Sequence, residues 1–403
     1  MYNFMLNRCQ KDFQEKIQAN MAEAGVDSLI LTTPQNIFYA TGYISPWLYN
    51  GSASTGTDIA VVNAAGKVSL ITSQFFQGGA ELQTKGDVEI ISYPTWIFIE
   101  DYFDPNEKAK EVQPDIYKTF RLAADVVKSF KSDARVGIES ANIPYDKYRF
   151  LQETFGADKI CGGTELMIKI RTVKFSWEID VLRYSAQIAE KMMNFTMENT
   201  RAGMTEADLM KLWFQSAYEF TGGHEVVDVV QYHTPGPDFW ATGLPRERPL
   251  KDGDVVRLDG GLNIYGYISD LGRSYAVGKT VEPKKQAIFD TLLAARDAGI
   301  EMLVPGNRFC DVFNVVMKVC HEGGALSHYV RGHCGHTIGL GPGEEYPMLN
   351  PDNEMILKPG MVFCFETPYY SSKYDSYNLE DTLVITENGH ELFTNTNRSL
   401  FIK

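Results

Sequence analysis

The 403-residue sequence has no run that approaches the roughly 18 consecutive apolar residues of a membrane span. Its opening residues, MYNFMLNRCQKDF, contain no apolar core of a secretory leader. There is no CxxC pair. The six cysteines, Cys9, Cys161, Cys310, Cys320, Cys334 and Cys364, are scattered along a large chain, a pattern that suits reduced thiols filling cores better than a disulfide framework. Low-complexity linkers and blocks of like charge are also missing. Positive charge is in deficit, with 38 Lys and Arg against 52 Asp and Glu and a formal net charge of -14. That deficit argues against nucleic acids and anionic membranes as partners, because binding to either needs a basic face that releases counterions. These absences together lead to the expectation of a soluble cytoplasmic protein.

The apolar content of 44% is ample for two cores, and the pattern of elements changes once along the chain. Over residues 1–165, short apolar runs alternate with helical periodicity. DSLILTT, DIAVVNA, KVSLIT, VEIISYP and RVGIES read as strands, whereas Arg8 to Glu23, Tyr117 to Phe130 and Tyr145 to Phe155 read as helices. Such alternation predicts an α/β domain. The aromatic segments Ile37 to Tyr49 and Tyr93 to Phe103 are either core packing or candidates for contact with substrate or a partner. Residues 166–403 form the second regime. Ser176 reads as an N-cap ahead of a long amphipathic helix, Thr205 with Asp208 as a capping pair opening another, and Lys284 to Leu303 and Asp311 to His321 as two more.

Within this second half, Val255 to Ser274 (VVRLDGGLNIYGYISDLGRS) has the composition of an antiparallel hairpin with an acid on each arm. Gly260, Gly261 and Asn263 read as turn chemistry. A turn centred between Ile264 and Tyr265 sets Asp259 directly opposite Asp270, with Cβ atoms about 4.5 to 5.5 Å apart, a placement that repels unless something positive lies between. A second acidic hairpin spans Met361 to Thr386. Centred on Lys373, it pairs Glu366 with Glu380. Between the two hairpins, RGHCGHTIGLGPGEEYP holds His336 in a glycine-rich, non-helical run. Four carboxylates and one imidazole form an oxygen-rich set suited to two hard or borderline divalent ions.

GDVVRLDGGLNIYGYISDLGRS, GHTIGLGPGEEYP, KPGMVFCFETP and NLEDTLVIT resemble, in order and spacing, the metal-site motifs of the pita-bread metallopeptidase family, which includes Xaa-Pro aminopeptidase, prolidase, methionine aminopeptidase and creatinase. IKIRTVKFSWEIDVLRYSAQIAEKMM and AGMTEADL resemble the entry into that family's catalytic domain, and GVDSLILTTPQNIFYATGY resembles the creatinase-type N-terminal domain. The resemblance implies an α/β creatinase-like domain over residues 1–165 and an α+β pita-bread catalytic domain over residues 166–403. It implies Asp259, Asp270, His336, Glu366 and Glu380 as ligands of two divalent ions, with Asp270 and Glu380 bridging. Manganese is the first choice, with cobalt, iron or zinc as alternatives. Glu366 would also carry protons between the attacking water and the leaving nitrogen. Homodimers are common in creatinase-type architectures, and one is expected here.

Two positions depart from the family's pattern. A histidine is usual seven residues after the metal histidine, where this chain has Gly343, flanked by Glu344 and Glu345. A second is usual seventeen or eighteen residues before the first metal aspartate, where this chain has Ala241 or Thr242. His233, His333 and Glu344 are the nearby groups able to substitute. Losing one oxyanion-stabilising donor typically costs about 2.7 to 4 kcal/mol of transition-state stabilisation. Three readings therefore stand at this level: a dinuclear metal hydrolase of the Xaa-Pro aminopeptidase or prolidase type, an enzyme using the same metals on a small non-peptide compound (a creatinase-like amidohydrolase or a sulfonium-compound lyase), and a binding protein of the same fold. Retention of all five ligands weighs against the third.

Overall fold

The computed structural model describes residues 7–46, 57–95, 100, 115–223, 226–236, 245–341, 345–395 and 398–401, with the backbone alone described for 226–235 and Glu345. The chain divides into two compact units, Met1–Arg171 and Thr172–Lys403.

The first unit is built on a six-stranded sheet of β1 (Ser28–Leu31), β2 (Ile59–Asn63), β3 (Val68–Ser73), β4 (Glu89–Tyr93), β5 (Val136–Ile138) and β6 (Ile160–Gly162), in the order β4-β3-β2-β1-β5-β6. The pairs β1/β2 and β2/β3 are antiparallel and the outer pairs are parallel, as the alternating strand and helix patterns predict for an α/β domain. Its helices are α1 (Gln10–Ala24), α2 (Pro34–Thr41), α3 (Gln74–Thr84), α4 (Lys118–Phe130) and α5 (Tyr145–Phe155), with α6 (Gly163–Thr172) at its end. The sequence reading misses α2. Thr33 caps it by accepting from the Asn36 amide, and Pro34 occupies its first turn, where no N–H is needed. Ile37, Phe38, Tyr39 and Tyr43 are all buried, so this part of the aromatic segment packs the core. The Tyr93 hydroxyl donates to the Thr57 carbonyl at 2.7 Å. Most of the second aromatic segment lies outside the described residues.

In the second unit, α7 (Ser176–Asn199), α8 (Glu206–Thr221), α9 (Pro283–Glu301) and α10 (Phe309–Glu322) accompany a nine-stranded sheet. Ser176 is the first helical residue rather than the cap. The Glu178 carboxylate accepts from the Phe175 amide at 2.9 Å and closes that end. Thr205 and Asp208 do cap α8 reciprocally, through Thr205 N–H to Asp208 at 2.8 Å and Asp208 N–H to the Thr205 hydroxyl at 3.3 Å.

The strands are β7 (Val226–Pro235), β8 (Val255–Ile264), β9 (Tyr267–Ile268), β10 (Leu271–Ala276), β11 (Gly335–Thr337), β12 (Glu345–Met348), β13 (Val362–Glu366), β14 (Tyr369–Ser371), β15 (Asp375–Tyr377), β16 (Glu380–Thr386) and β17 (Gly389–Leu392). The main path runs β12-β11-β13-β16-β10-β8-β7, with β14 and β15 forming a separate two-stranded ribbon. Phe363, Phe365, Leu383 and Ile385 join one core cluster with Ile288, Leu292, Val312 and Val316 of α9 and α10. Side chains alternate along a strand, so the residues that alternate with these four, Cys364, Glu366, Thr382 and Val384, face the other side of the sheet. The helices thus fix which face carries the acids.

Candidate metal centre

Two rows of residues cross the sheet on that other face. In one, Glu366 pairs directly with Glu380, Glu380 with Gly272, and Gly272 with Asp259. The neighbouring row runs from His336 through Cys364 to Thr382, whose hydroxyl donates to the Asp270 carbonyl at 2.8 Å. All five residues read from the sequence as metal ligands therefore meet on one face of one sheet, contributed by both hairpins and by β11.

The second hairpin has the predicted register, with Glu366 opposite Glu380. The first differs. Asp259 stands opposite Gly272, so Asp270 is its diagonal neighbour on the same face rather than its direct partner. The reason is the turn. Ile264 pairs with Tyr267, leaving Tyr265 and Gly266 as a two-residue loop with φ of 51° and 84°. Positive φ at both central residues defines the tight turn that matches strand twist. Gly260 and Gly261, read as turn residues, lie within β8 instead. A Cβ on Gly261 would overlap the Ser269 carbonyl, so this glycine permits a close approach of two backbones.

The imidazole of His336 is oriented by its own strand. Its Nδ1 lies 3.0 Å from the Thr337 carbonyl, which can only accept, so Nδ1 carries the proton. The Nε2 lone pair then points at Asp270 and Glu380, each 3.9 Å away. Asp270, His336, Cys364 and Glu380 all bring a ligating atom within 4.8 Å of one another. Cys364 was missed by the sequence reading, which treated the cysteines as core fillers. Its position two residues before Glu366 on a strand was the available signal. Burial, reinforced by Asp270 and Glu380, pushes its thiol well above the usual range, and its Sγ donates to the Asp270 carbonyl at 3.4 Å. A protonated thiol of this kind packs beside the candidate ligands and anchors the Asp270 backbone.

Burial raises the Glu380 carboxyl well above its ordinary range, and the charges of Asp270, Asp259 and Glu366 raise it further. Asn378 partly offsets this crowding: its Nδ2 donates to Asp259 at 3.2 Å and to Glu380 at 3.0 Å. Gly272 makes room for it, since a Cβ there would overlap the Asn378 amide. Arg257 contacts Asp259, and Arg331 Nη2 lies 2.5 Å from Glu366 Oε1. A crowd of buried and half-buried carboxylates around an oriented imidazole fits divalent cations, and the oxygen-rich donor set fits a hard or borderline ion.

Of the groups proposed to replace the usual histidines, His333 is brought to the site, with Nδ1 3.5 Å from Glu366 Oε1 and its ring 6.2 Å from that of His336. His233 lies on β7 opposite Leu258, and its side chain is outside the described set. Ala241, Thr242, Gly343 and Glu344 also lie outside the described residues.

The same arrangement of sequence and fold occurs in known proteins. Residues 180–387 match the model of metallopeptidase family M24, and residues 14–173 match the creatinase/prolidase N-terminal domain. An Xaa-Pro dipeptidase of Pyrococcus furiosus is 23% identical over 390 residues, covering 97% of this chain and 99% of that protein. Among solved structures, an Xaa-Pro dipeptidase from Bacillus anthracis superposes with a TM-score of 0.79 at 22% identity, covering 98% of this chain and 100% of that one. The prolidase from Pyrococcus horikoshii gives 0.77 at 20% identity, covering 96% and 99%. With its second unit accounting for the M24 match and the five candidate ligands on one face of that unit's sheet, the chain belongs to metallopeptidase family M24, the pita-bread family of metal-dependent peptide hydrolases.

Proposed function

We propose that this protein is an Xaa-Pro dipeptidase or aminopeptidase, with Asp259, Asp270, His336, Glu366 and Glu380 holding two divalent ions, manganese in the first instance. The observation that carries the reading is the pairing of Glu366 with Glu380 beside His336, Asp270 and Asp259 on a single face. When bound, such ions supply Lewis acidity and bring the ionisation of water toward neutrality. The side chains do the rest. Glu366, at the edge of the cluster and 10% exposed, takes the proton from the attacking water and passes it to the leaving nitrogen. His333, 3.5 Å from it, is placed to relay that proton or to donate to the substrate carbonyl. His336 holds its orientation through Thr337, and Asn378 keeps Asp259 and Glu380 together.

The relatives named above support a peptide bearing a prolyl bond as substrate. A small non-peptide substrate is the second reading, favoured by Gly343 and by Ala241 or Thr242 at the two positions where peptidases of the family carry histidine. The test is a panel of Xaa-Pro dipeptides and longer peptides with metal-loaded protein, and ion identity read by elemental analysis. Release of the N-terminal residue supports the peptidase; no turnover of any peptide with ions bound moves the assignment to the non-peptide class. Failure to retain any divalent ion after reconstitution sinks both. We also place the protein in the cytoplasm as a homodimer, a reading supported by the family and by six cysteines that are all free.

A further inference from the structure

Cys364 stands inside the cluster rather than at its margin. It is fully buried on β13, directly opposite His336 on one side and Thr382 on the other. Directly opposed residues on one face have Cβ atoms about 4.5 to 5.5 Å apart. Its Sγ, an imidazole nitrogen of His336 and one oxygen each of Asp270 and Glu380 all lie within 4.8 Å of one another, whereas Asp259 and Glu366 are not part of that group. His336 is aimed at the same spot. Its side chain is 2% exposed and its Nδ1 proton is spent on Thr337. Its Nε2 makes no hydrogen bond among the described residues, since Asp270 and Glu380 at 3.9 Å are beyond reach.

The two ends of the cluster therefore differ in donor chemistry. The end at Asp259 and Glu366 offers carboxylate oxygen alone, and the end at His336 offers nitrogen, sulfur and oxygen. Carboxylates suit hard ions such as manganese, whereas imidazole with thiolate suits zinc, for which four mixed donors are the usual complement. The sulfur can take this role without loosening the sheet. It donates to the Asp270 carbonyl at 3.4 Å, but the Thr382 hydroxyl donates to the same carbonyl at 2.8 Å and keeps hold of it when the thiol turns away. Charge favours the same outcome. Four carboxylates offset two divalent ions, and the guanidiniums of Arg257 and Arg331, which contact Asp259 and Glu366, then leave the cluster positive. A thiolate lowers that excess.

We propose that Cys364 is a ligand of the ion at the His336 end, which makes the centre asymmetric. A zinc-class ion is held there by His336, Cys364, Asp270 and Glu380, and a manganese-class ion occupies the oxygen-only end, with Asp270 and Glu380 shared. The inference rests on the two-ion reading above and adds a sixth ligand to it. As the bond from Sγ to the ion forms, the S–H bond breaks and its proton passes to solvent, and no electron is transferred.

The test is spectroscopic. Metal-free wild type, Cys364→Thr and Cys364→Ser are titrated with cobalt(II), a coloured stand-in for zinc, and thermal stability is measured on each. The wild type should develop a near-ultraviolet sulfur-to-cobalt charge-transfer band that saturates with the first ion bound, and X-ray absorption of the zinc-loaded chain should find a sulfur neighbour at about 2.3 Å. Both signals should vanish in either variant. Zinc affinity, read by chelator competition, should fall by about 10- to 100-fold, while manganese affinity changes by less than about threefold. Cobalt bound without the band overturns sulfur ligation and leaves the five-ligand centre standing. A band that persists in both variants also overturns it, because the sulfur then comes from elsewhere. Should neither variant fold, X-ray absorption of the wild type decides: a zinc shell without sulfur overturns the proposal, and one with sulfur supports it, Cys364 being the cysteine within the cluster. A chain that shows the band but cleaves no peptide fails as a peptidase and keeps Cys364 as a ligand. A chain that binds no ion overturns both.

Discussion

Glu380 and Asp381 are consecutive carboxylates on β16, and they face opposite sides of one sheet. Glu380 is surrounded by acids, and its carboxyl is raised by burial and then by Asp270, Asp259 and Glu366. Asp381 is equally buried, and burial pushes its carboxyl up too, but Arg273, Arg296 and Arg398 outweigh that and hold it below the usual range. The bonds are Arg273 Nη2 at 2.9 Å, Arg296 Nε at 2.7 Å and Arg398 Nη2 at 2.8 Å, with the Thr394 hydroxyl at 3.1 Å. The contrast teaches how one strand separates function from stability. The face with an excess of negative charge awaits cations from solution, whereas the other face carries its own.

Replacing Asp381 with Asn should break the comparison most severely. It leaves three guanidiniums without their shared carboxylate, two of them almost fully buried, and should cost about 3 to 5 kcal/mol in denaturant unfolding. Glu380→Gln should do the reverse in metal-free protein. It removes a charge that faces like charges, so unfolding free energy should hold or rise, while metal affinity falls by at least about 100-fold, measurable by competition with a chelator. A drop in metal-free stability comparable to that of Asp381→Asn would show that the two faces are not separated in this way. Asn378→Ala, which removes the amide between Asp259 and Glu380, should weaken metal binding about 10-fold with only a modest loss of stability.

The smallest effect should lie in the pH dependence of stability. A raised carboxyl binds its proton more readily folded than unfolded, so Glu380 destabilises the metal-free chain above its folded value and this penalty is relieved as pH falls through that value. A lowered carboxyl has the opposite sign. Asp381 contributes stability above about pH 3.9, the ordinary value for an aspartate, and that contribution is lost as pH falls further toward its depressed folded value. Chelated protein should therefore gain melting temperature on mild acidification before losing it. Metal-loaded protein should only lose it, since a bound cation holds Glu380 ionised. A gain that persists in chelated Glu380→Gln would assign it to another group.

Much of this was legible in the sequence, for identifiable reasons. The register of the second hairpin follows from centring it on Lys373, because the β14/β15 ribbon continues the same pairing. In the first hairpin, the centre chosen from Gly260, Gly261 and Asn263 was one residue early. An error of one in the centre moves the partner by two, which preserves the face, so the acids still met even though their pairing was misread. The glycines misled because a glycine that admits a neighbouring backbone and one that turns a chain look alike in composition. Asn378, Arg257 and Cys364 each stand two residues before a candidate ligand, and that spacing becomes a signal only once the strand that carries it is recognised. Only the sheet, which sets residues two apart on a common face, makes them neighbours of the site. The three-arginine environment of Asp381 was hidden for a different reason: Arg273, Arg296 and Arg398 are far apart in the chain.

The alternation along β16 also bears on how the strand finds its place during folding. A slip of one residue would exchange Glu380 for Asp381, one carboxylate for another, and electrostatics would scarcely register the error. What would register it is apolar: Leu383 and Ile385, now fully sealed against the helices, would be turned out among the charged groups, and Thr382 and Val384 would be pressed into their place. Fidelity of assembly at this strand is thus entrusted to its hydrocarbon residues, and the site inherits its alignment from side chains that take no part in its chemistry.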